Sequence, residues 1–376
     1  MTEKSSRRKF LLGTTATAAT AIVGLSGAGT GQETTTTEGE QTTTAEGGET
    51  TTTGQQFDFP VTTDVLLEAG FETGNLSDLQ QMEEREEPRY GNSVREVPSD
   101  ESEFIDPNTL AFSLAPTEDP SVYRDTMQPL LDNIAEETGK DVRFFPLNSY
   151  AAQVEAMRSE RLHIGGFSTG TVPFAVNLAG AIPFSIQVSE EGDFGYRLWA
   201  ITQADNDEIN SVEDFAGKNI AHTEPTSNSG NLAPRAIFKD RFGITPGEDY
   251  EVSFSGGHQQ SALGVANGDY AGAPVCSTCY ARVADAGQLD PSQIKCVFAS
   301  RPFPTTGFCL RYNLRPELQE GIKRAFLDYD YSDTSIAEQF EGRGRWIEID
   351  YATVWDVILT IQEENNVEYE EGEIGE

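Results

Sequence analysis

Four stretches bring hydroxyl, amide or imidazole side chains to places where a strand pattern hands over to a helical one. The richest is Glu224-Pro225-Thr226-Ser227-Asn228-Ser229-Gly230. A helix start leaves backbone N–H groups without internal partners, and its dipole favours negative charge. Small hydroxyl residues and glycine let an anion come close, so this segment reads as an anion cradle. Ser and Asn are also preferred as plain N-caps, so spacing alone leaves both readings open. Gly256-Gly257-His258 is a second junction, where the imidazole can donate to an oxyanion. Phe167-Ser168-Thr169-Gly170-Thr171 is a third, and Pro116-Thr117-Glu118-Asp119 a fourth. Ligands of open α/β sheets bind at such strand ends, and four together say more than any one alone.

Other chemistry fits less well. Gly166-Phe167-Ser168-Thr169-Gly170 matches the G-x-S-x-G of a nucleophile elbow, with His222 or His258 as base and Asp193 or Asp214 to orient it. The pattern is weak in a Gly- and Ser-rich chain, so a serine hydrolase using Ser168 is the minor alternative and no catalytic residue is assigned. His163 sits within a strand pattern and reads as structural. Four cysteines stand at 276, 279, 296 and 309, the first two as a C-x-x-C at a strand–helix turn. Four thiols can hold zinc. Cys296 and Cys309 stand alone in strand patterns, so buried thiols or one disulfide are expected and no metal site. Neither a dinucleotide glycine fingerprint nor GxxxxGK[ST] is present, so no cofactor is expected.

These junctions need an α/β scaffold. From 109, TLAFSLAP reads as a strand, and Met127, Leu130, Leu131 and Ile134 share one helical face ended by Gly139. DVRFFPL, LHIGGF, AIPFSIQVS and YRLWAITQ read as further strands, with helices over 150–161 and 171–180. A second round begins near 205 with KNIAHTEP, YEVSFSG, AGAPVCS and IKCVFAS. FPTTGFCLRYN, a helix over 316–329 and a helix over 354–361 follow. Alternation at this spacing predicts layers of parallel sheet flanked by helices.

The amino end reads as an address. Ser6-Arg7-Arg8-Lys9-Phe10-Leu11-Leu12 looks like a twin-arginine export signal, and the stretch to Ala28 is too polar for a membrane span. Leu25-Ser26-Gly27 would begin a lipobox, but position 28 is Ala rather than Cys. Residues 30–53 contain 12 Thr and no aromatic, which suits an extended spacer rather than a core. Residues 57–106 show weak periodicity and read as an irregular, partly helical extension carrying one glycosylation sequon, Asn75-Leu76-Ser77.

The net charge is −36, from 62 acidic and 26 basic residues, and only 7 of the basic residues are Lys. Nucleic acid and anionic membrane surfaces are therefore poor partners. An acid-rich, lysine-poor surface suits high salt, where carboxylate repulsion is screened. Aromatic residues make up 10% of the chain, which argues for a real core.

Leu114-Ala115-Pro116-Thr117-Glu118, Ser149-Tyr150-Ala151 with Glu155-Ala156-Met157-Arg158, Glu224-Pro225 with Ser227 to Gly230, and Gly257-His258 with Ala262 to Asn267 resemble one family. It is the phosphonate/phosphite/phosphate (PhnD-like) group of type II periplasmic binding proteins, here of haloarchaeal type. The resemblance implies an α/β fold of two lobes, each a mainly parallel sheet flanked by helices, joined by a two-segment hinge. Ahead of it, the residues themselves place a signal at 1–29, a linker at 30–56 and an N-terminal extension at 57–106. Lobe I would be 107–200 and 305–376, and lobe II 201–304. The resemblance further implies a non-enzymatic extracellular or cell-surface receptor that hands a small oxyanion to the permease and ATPase of an ABC importer, as a monomer. The family's anion-binding residues fall on Tyr150, Phe167, Ser227, Asn228, Ser229 and His258, and the hydroxyl-rich junctions add Thr117, Ser168 and Thr169. Phe167 stands where an aromatic hydroxyl is common, and Asn228 where Thr is common. Positions near Cys276–Thr278 and Thr305-Thr306 lack the carboxylate that would meet an aminophosphonate's amine. Phosphate, phosphite or a simple alkylphosphonate is the expected ligand, with sulfonate or thiamine-precursor binding on the same fold as the alternative.

Overall fold

The computed structural model describes residues 57–117 and 122–370. The expected signal at 1–29 and linker at 30–56, Glu118 and Asp119 of the fourth junction, and the end of the acidic tail lie outside the described residues. The strands in chain order are β1 (Val61–Thr62), β2 (Gly74–Asn75), β3 (Thr109–Leu114), β4 (Asp141–Phe144), β5 (Ile164–Phe167), β6 (Ala181–Val188) and β7 (Asp193–Phe194). They continue with β8 (Leu198–Gln203), β9 (Asn219–His222), β10 (Glu251–Phe254), β11 (Ala273–Cys276), β12 (Ile294–Ala299), β13 (Gly307–Arg311) and β14 (Arg345–Glu348).

Two sheets organise the molecule. The larger has the order β2-β7-β6-β13-β5-β3-β4, with β14 also on β6. The smaller has the order β1-β12-β8-β11, and the parallel β9–β10 pair adjoins it through an Ile220–Gly272 bridge. The two-lobed α/β architecture is as expected, but its sheets are mixed rather than mainly parallel. In the larger sheet only β3–β4 and β3–β5 run parallel. β13 re-enters without the crossover helix that a parallel pairing requires, so it runs antiparallel to β5 and β6.

The chain passes between the sheets at 63–73, at 195–197 and at 300–306. The second passage precedes β8, so the expected boundary after residue 200 falls inside a strand of the smaller sheet. Arg197 pins this region. It is fully buried, its Nε donates to the Thr73 carbonyl at 3.2 Å, and its Nη1 donates to the Ser300 carbonyl at 3.0 Å. Burial lowers its pKa to about 10, and its guanidinium lies 4.3 Å over the Phe71 ring.

Thr73 and Phe71 belong to the segment read as an irregular extension. It is partly helical as expected, over Thr63–Glu68 and Leu76–Gln80, but it is also built into both sheets: β1 pairs with β12, and β2 pairs with β7. Farther on, Arg89 forks onto Asp356 at 2.8 and 2.9 Å. Two-residue strands carry no period that a sequence can display, which is why the segment looked irregular.

The helices form where the apolar spacing places them. Leu130, Leu131 and Ile134 of the Gln128–Thr138 helix are buried against Ile322 and Phe326 of the Pro316–Leu327 helix and Trp346 of β14. The first of these helices ends on Gly139, whose φ of 66° is the left-handed conformation that glycine adopts cheaply. A separate core under the smaller sheet holds Trp199, Ile201, Val275, Tyr280 and Cys296.

Candidate functional site

The strand ends of both sheets face one cavity of about 50 Å³. By the same measure a water needs roughly 10–15 Å³, so the space fits a few water-sized groups, such as the oxygens of a tetrahedral anion. Eight of the nine expected residues line it: Thr117, Tyr150, Ser168, Thr169, Ser227, Asn228, Ser229 and His258. The ninth, Phe167, does not. Its fully buried side chain joins the apolar core, because every residue of β5 is buried.

From the larger-sheet lobe come Tyr150, Ser168 and Thr169. Tyr150 opens the Tyr150–Arg158 helix, capped by Ser149, whose Oγ accepts from the Ala152 amide at 3.1 Å. The Tyr150 hydroxyl is buried and meets no hydrogen-bond partner in the protein, so it is available to a ligand. Burial, with Glu224 and the two nearby thiols behind it, raises its pKa and keeps it a neutral donor. Trp355 Nε1 donates to the Thr169 carbonyl at 2.9 Å and Gln362 Nε2 to the Gly170 carbonyl at 2.7 Å, which fixes the loop. A Cβ at Gly170 would lie 2.2 Å from the Thr226 carbonyl, so glycine is needed for the two lobes to meet here.

From the smaller-sheet lobe come Ser227, Asn228, Ser229 and His258. The expected helix start is a wide turn over Asn228–Leu232 that feeds the Ala233–Phe242 helix. Such turns recur at functional sites. Ser227 caps it, its Oγ accepting from the Gly230 amide at 3.2 Å. Asn228 Nδ2 donates to the Tyr196 hydroxyl at 3.1 Å. His258 opens the His258–Asn267 helix, and its Nδ1 accepts from the Cys276 amide at 3.1 Å. That bond leaves the neutral ring's proton on Nε2, 3.5 Å from Ser227 Oγ. Burial, with the Arg282 charge, holds the His258 pKa at about 3, so the ring is an uncharged donor at neutral pH.

The sequence model for the periplasmic phosphonate substrate-binding protein of ABC transporters matches residues 112–354. The chain belongs to this family. It is 30% identical over 265 residues to the phosphate-import protein PhnD of Mycolicibacterium smegmatis, covering 67% of this chain and 81% of that one. A crystal structure of the binding-protein component of an ABC phosphonate transporter from Pseudomonas aeruginosa superposes with a TM-score of 0.62 at 20% identity, over 69% of this chain and 88% of that one. PhnD1 of Prochlorococcus marinus, solved with methylphosphonate, gives 0.59 at 16% identity, over 69% and 99%. These likenesses carry the type II fold. The phosphonate-binding family is extracytoplasmic, and among the described residues no helix is long and apolar enough to cross a membrane. The 57–106 segment lies outside the matched span.

Two residues that the sequence reading did not single out, Arg282 and Arg343, also line the cavity. Arg282 lies on the Ser277–Asp285 helix of the smaller-sheet lobe and Arg343 just before β14. Both bond Glu341, Arg282 Nη1 at 2.8 Å and Arg343 through Nη2. Burial opposes the Glu341 charge, but the two guanidinium groups outweigh it and lower its pKa. Two cations on one carboxylate leave local positive charge beside the neutral donors. Gln187, Tyr196, Thr305 and Thr306 complete much of the wall, and no described lining residue is acidic.

The residues of the enzyme alternative have other partners, Asp193 on Ser189 and His258 Nδ1 on the Cys276 amide among them. Ser168 Oγ bonds Thr171 Oγ1 at 2.7 Å. His222 bonds Asn231 and Tyr250 at 2.8 and 2.9 Å, and Asp214 caps the turn at Ser211. Nor do four thiols converge: Cys296 and Cys309 sit in strands of different sheets, while Cys276 and Cys279 line the cavity.

Proposed function

We propose that this chain captures phosphate, phosphite or a simple alkylphosphonate between its lobes and delivers it to the permease and ATPase subunits of an ABC importer. The observation that carries the reading is the cavity wall itself. Ser227, Ser229, Asn228 and His258 from one lobe face Tyr150 and Ser168 from the other, two arginines stand beside them, and no described lining residue is acidic. An oxyanion bound there would exchange its water shell for fixed donors. Its contacts with both lobes would hold them closed. An aminophosphonate's ammonium would meet no carboxylate among the described residues of the wall. The names of the relatives, phosphate import and methylphosphonate binding, support the same ligand class.

The twin-arginine motif supports export by that route, to an extracellular or cell-surface location, with the Thr-rich linker as spacer. The acidic, lysine-poor composition supports a high-salt, haloarchaeal habitat, and the receptor acts as a monomer. Calorimetric titration of the full chain in high salt with phosphate, phosphite, methylphosphonate, aminoethylphosphonate and sulfate tests the ligand. Submicromolar binding of one of the first three is expected. Preferential binding of sulfate or aminoethylphosphonate would overturn the assignment.

A further inference from the structure

Cys276 and Cys279 stand in the cavity wall at the start of the Ser277–Asp285 helix. Cys276 is the N-cap, and its Sγ accepts the Cys279 amide at 3.3 Å and lies 3.3 Å from Thr278 Oγ1. The three-residue spacing on a first helical turn is that of reactive C-x-x-C pairs, where helix amides stabilise a thiolate. Both residues are buried, at 6% and 3% exposure, yet they face the same space as the partnerless Tyr150 hydroxyl. They are therefore shielded while the lobes are closed and reachable when they part. Burial works against the Cys276 thiolate, but hydrogen bonds from Cys279 and the Arg282 charge outweigh it and lower its pKa. Cys296 and Cys309, by contrast, sit inside the two sheets, where burial raises the pKa of both thiols.

We propose that Cys276 and Cys279 form a reversible dithiol–disulfide site in the cavity wall, and that its oxidation weakens anion capture; the second half rests on the function proposed above. The Cys276 thiolate attacks a small external disulfide, forming a mixed disulfide and expelling one small thiolate. Cys279, losing its proton, then attacks the Cys276 sulfur and expels the second. The protein gives up two electrons and two protons, and the external disulfide becomes two thiols. Closing the bond takes Sγ of Cys276 away from its capping position. The first turn that carries Thr278 must then shift, and with it Arg282 one turn later, which bonds Glu341 across the lobes. The Cys276 amide that holds His258 Nδ1 moves with it.

The test incubates ligand-stripped full chain with excess oxidised glutathione, followed by intact mass, peptide mapping and calorimetry with phosphate. A Cys276–Cys279 link, reversed by dithiothreitol and slowed by phosphate, is expected, with Cys296 and Cys309 remaining reduced. The oxidised chain should bind phosphate about tenfold more weakly, the equivalent of one charge-assisted hydrogen bond. Cys276→Ser keeps a good N-cap, and its phosphate affinity, whatever the starting value, should be the same before and after the redox treatment. Absence of the link, or glutathione adducts alone, overturns the dithiol site. A link with unchanged affinity overturns its effect on capture. If the reduced chain binds none of the oxyanions, the proposed function fails, while the mass measurement still decides the dithiol site.

Discussion

Arg282 and Glu341 meet across the two lobes, Nη1 to Oε1 at 2.8 Å, and Arg343 holds the other carboxylate oxygen. Arg282 follows β11 of the smaller sheet, whereas Glu341 and Arg343 precede β14 of the larger one. All three side chains are largely buried, at 11%, 16% and 3% exposure. The cluster is thus both a clamp between lobes and the charged part of the cavity wall.

Removing the shared carboxylate should be costlier than removing one arginine. Glu341→Ala leaves two buried guanidinium groups without it, a loss on the order of 3–5 kcal/mol. Arg282→Ala leaves Glu341 with Arg343, so its loss should be clearly smaller. Denaturant titration of both variants checks the order, and equal losses would contradict the shared-carboxylate picture.

Each cradle serine should carry measurable affinity. Hydrogen bonds to a charged ligand contribute about 1.5–3 kcal/mol each, or roughly one to two decades in Kd. Ser227→Ala and Ser229→Ala should each weaken phosphate binding by that factor without changing the fold, as read by calorimetry and circular dichroism. Phe167→Tyr should gain nothing, because position 167 faces the core rather than the cavity.

Acid should destabilise the protein before ordinary carboxylates titrate. Burial pushes His163 and His222 down to about 4 and His258 down to about 3. In the unfolded chain each takes up a proton near 6.5, so their contribution is complete above that pH and is lost as pH falls toward 4. Glu224 runs the other way. Burial raises it to about 7, so its contribution is complete below about 4.5 and is lost as pH rises through 7. Burial also raises Glu72 and Glu364, in the same direction as Glu224. The three histidines are shifted furthest, so the urea midpoint should fall between pH 7 and pH 5. His222→Gln should flatten that fall, and Glu224→Gln should steepen it.

The sequence showed the hydroxyl-rich junctions because helix starts are local: Ser227 and Ser149 cap as their types demand. It showed the helical face of Leu130, Leu131 and Ile134 for the same reason. It misled at Phe167, since a strand buried on both faces has no alternation to say which side chains point where. Arg282 and Arg343 were not legible, because an arginine on a helix or loop reads as solvent-facing until the partner lobe is folded against it. β2, β7 and β14 were missed because they are short and paired across long separations.

A crystal structure of the full chain with methylphosphonate tests the central claim most directly. The phosphonate oxygens should lie within hydrogen-bond distance of Ser227, Ser229 and His258 on one side and of Tyr150 or Ser168 on the other. An anion bound by one lobe alone, or outside this cavity, would contradict capture between the lobes.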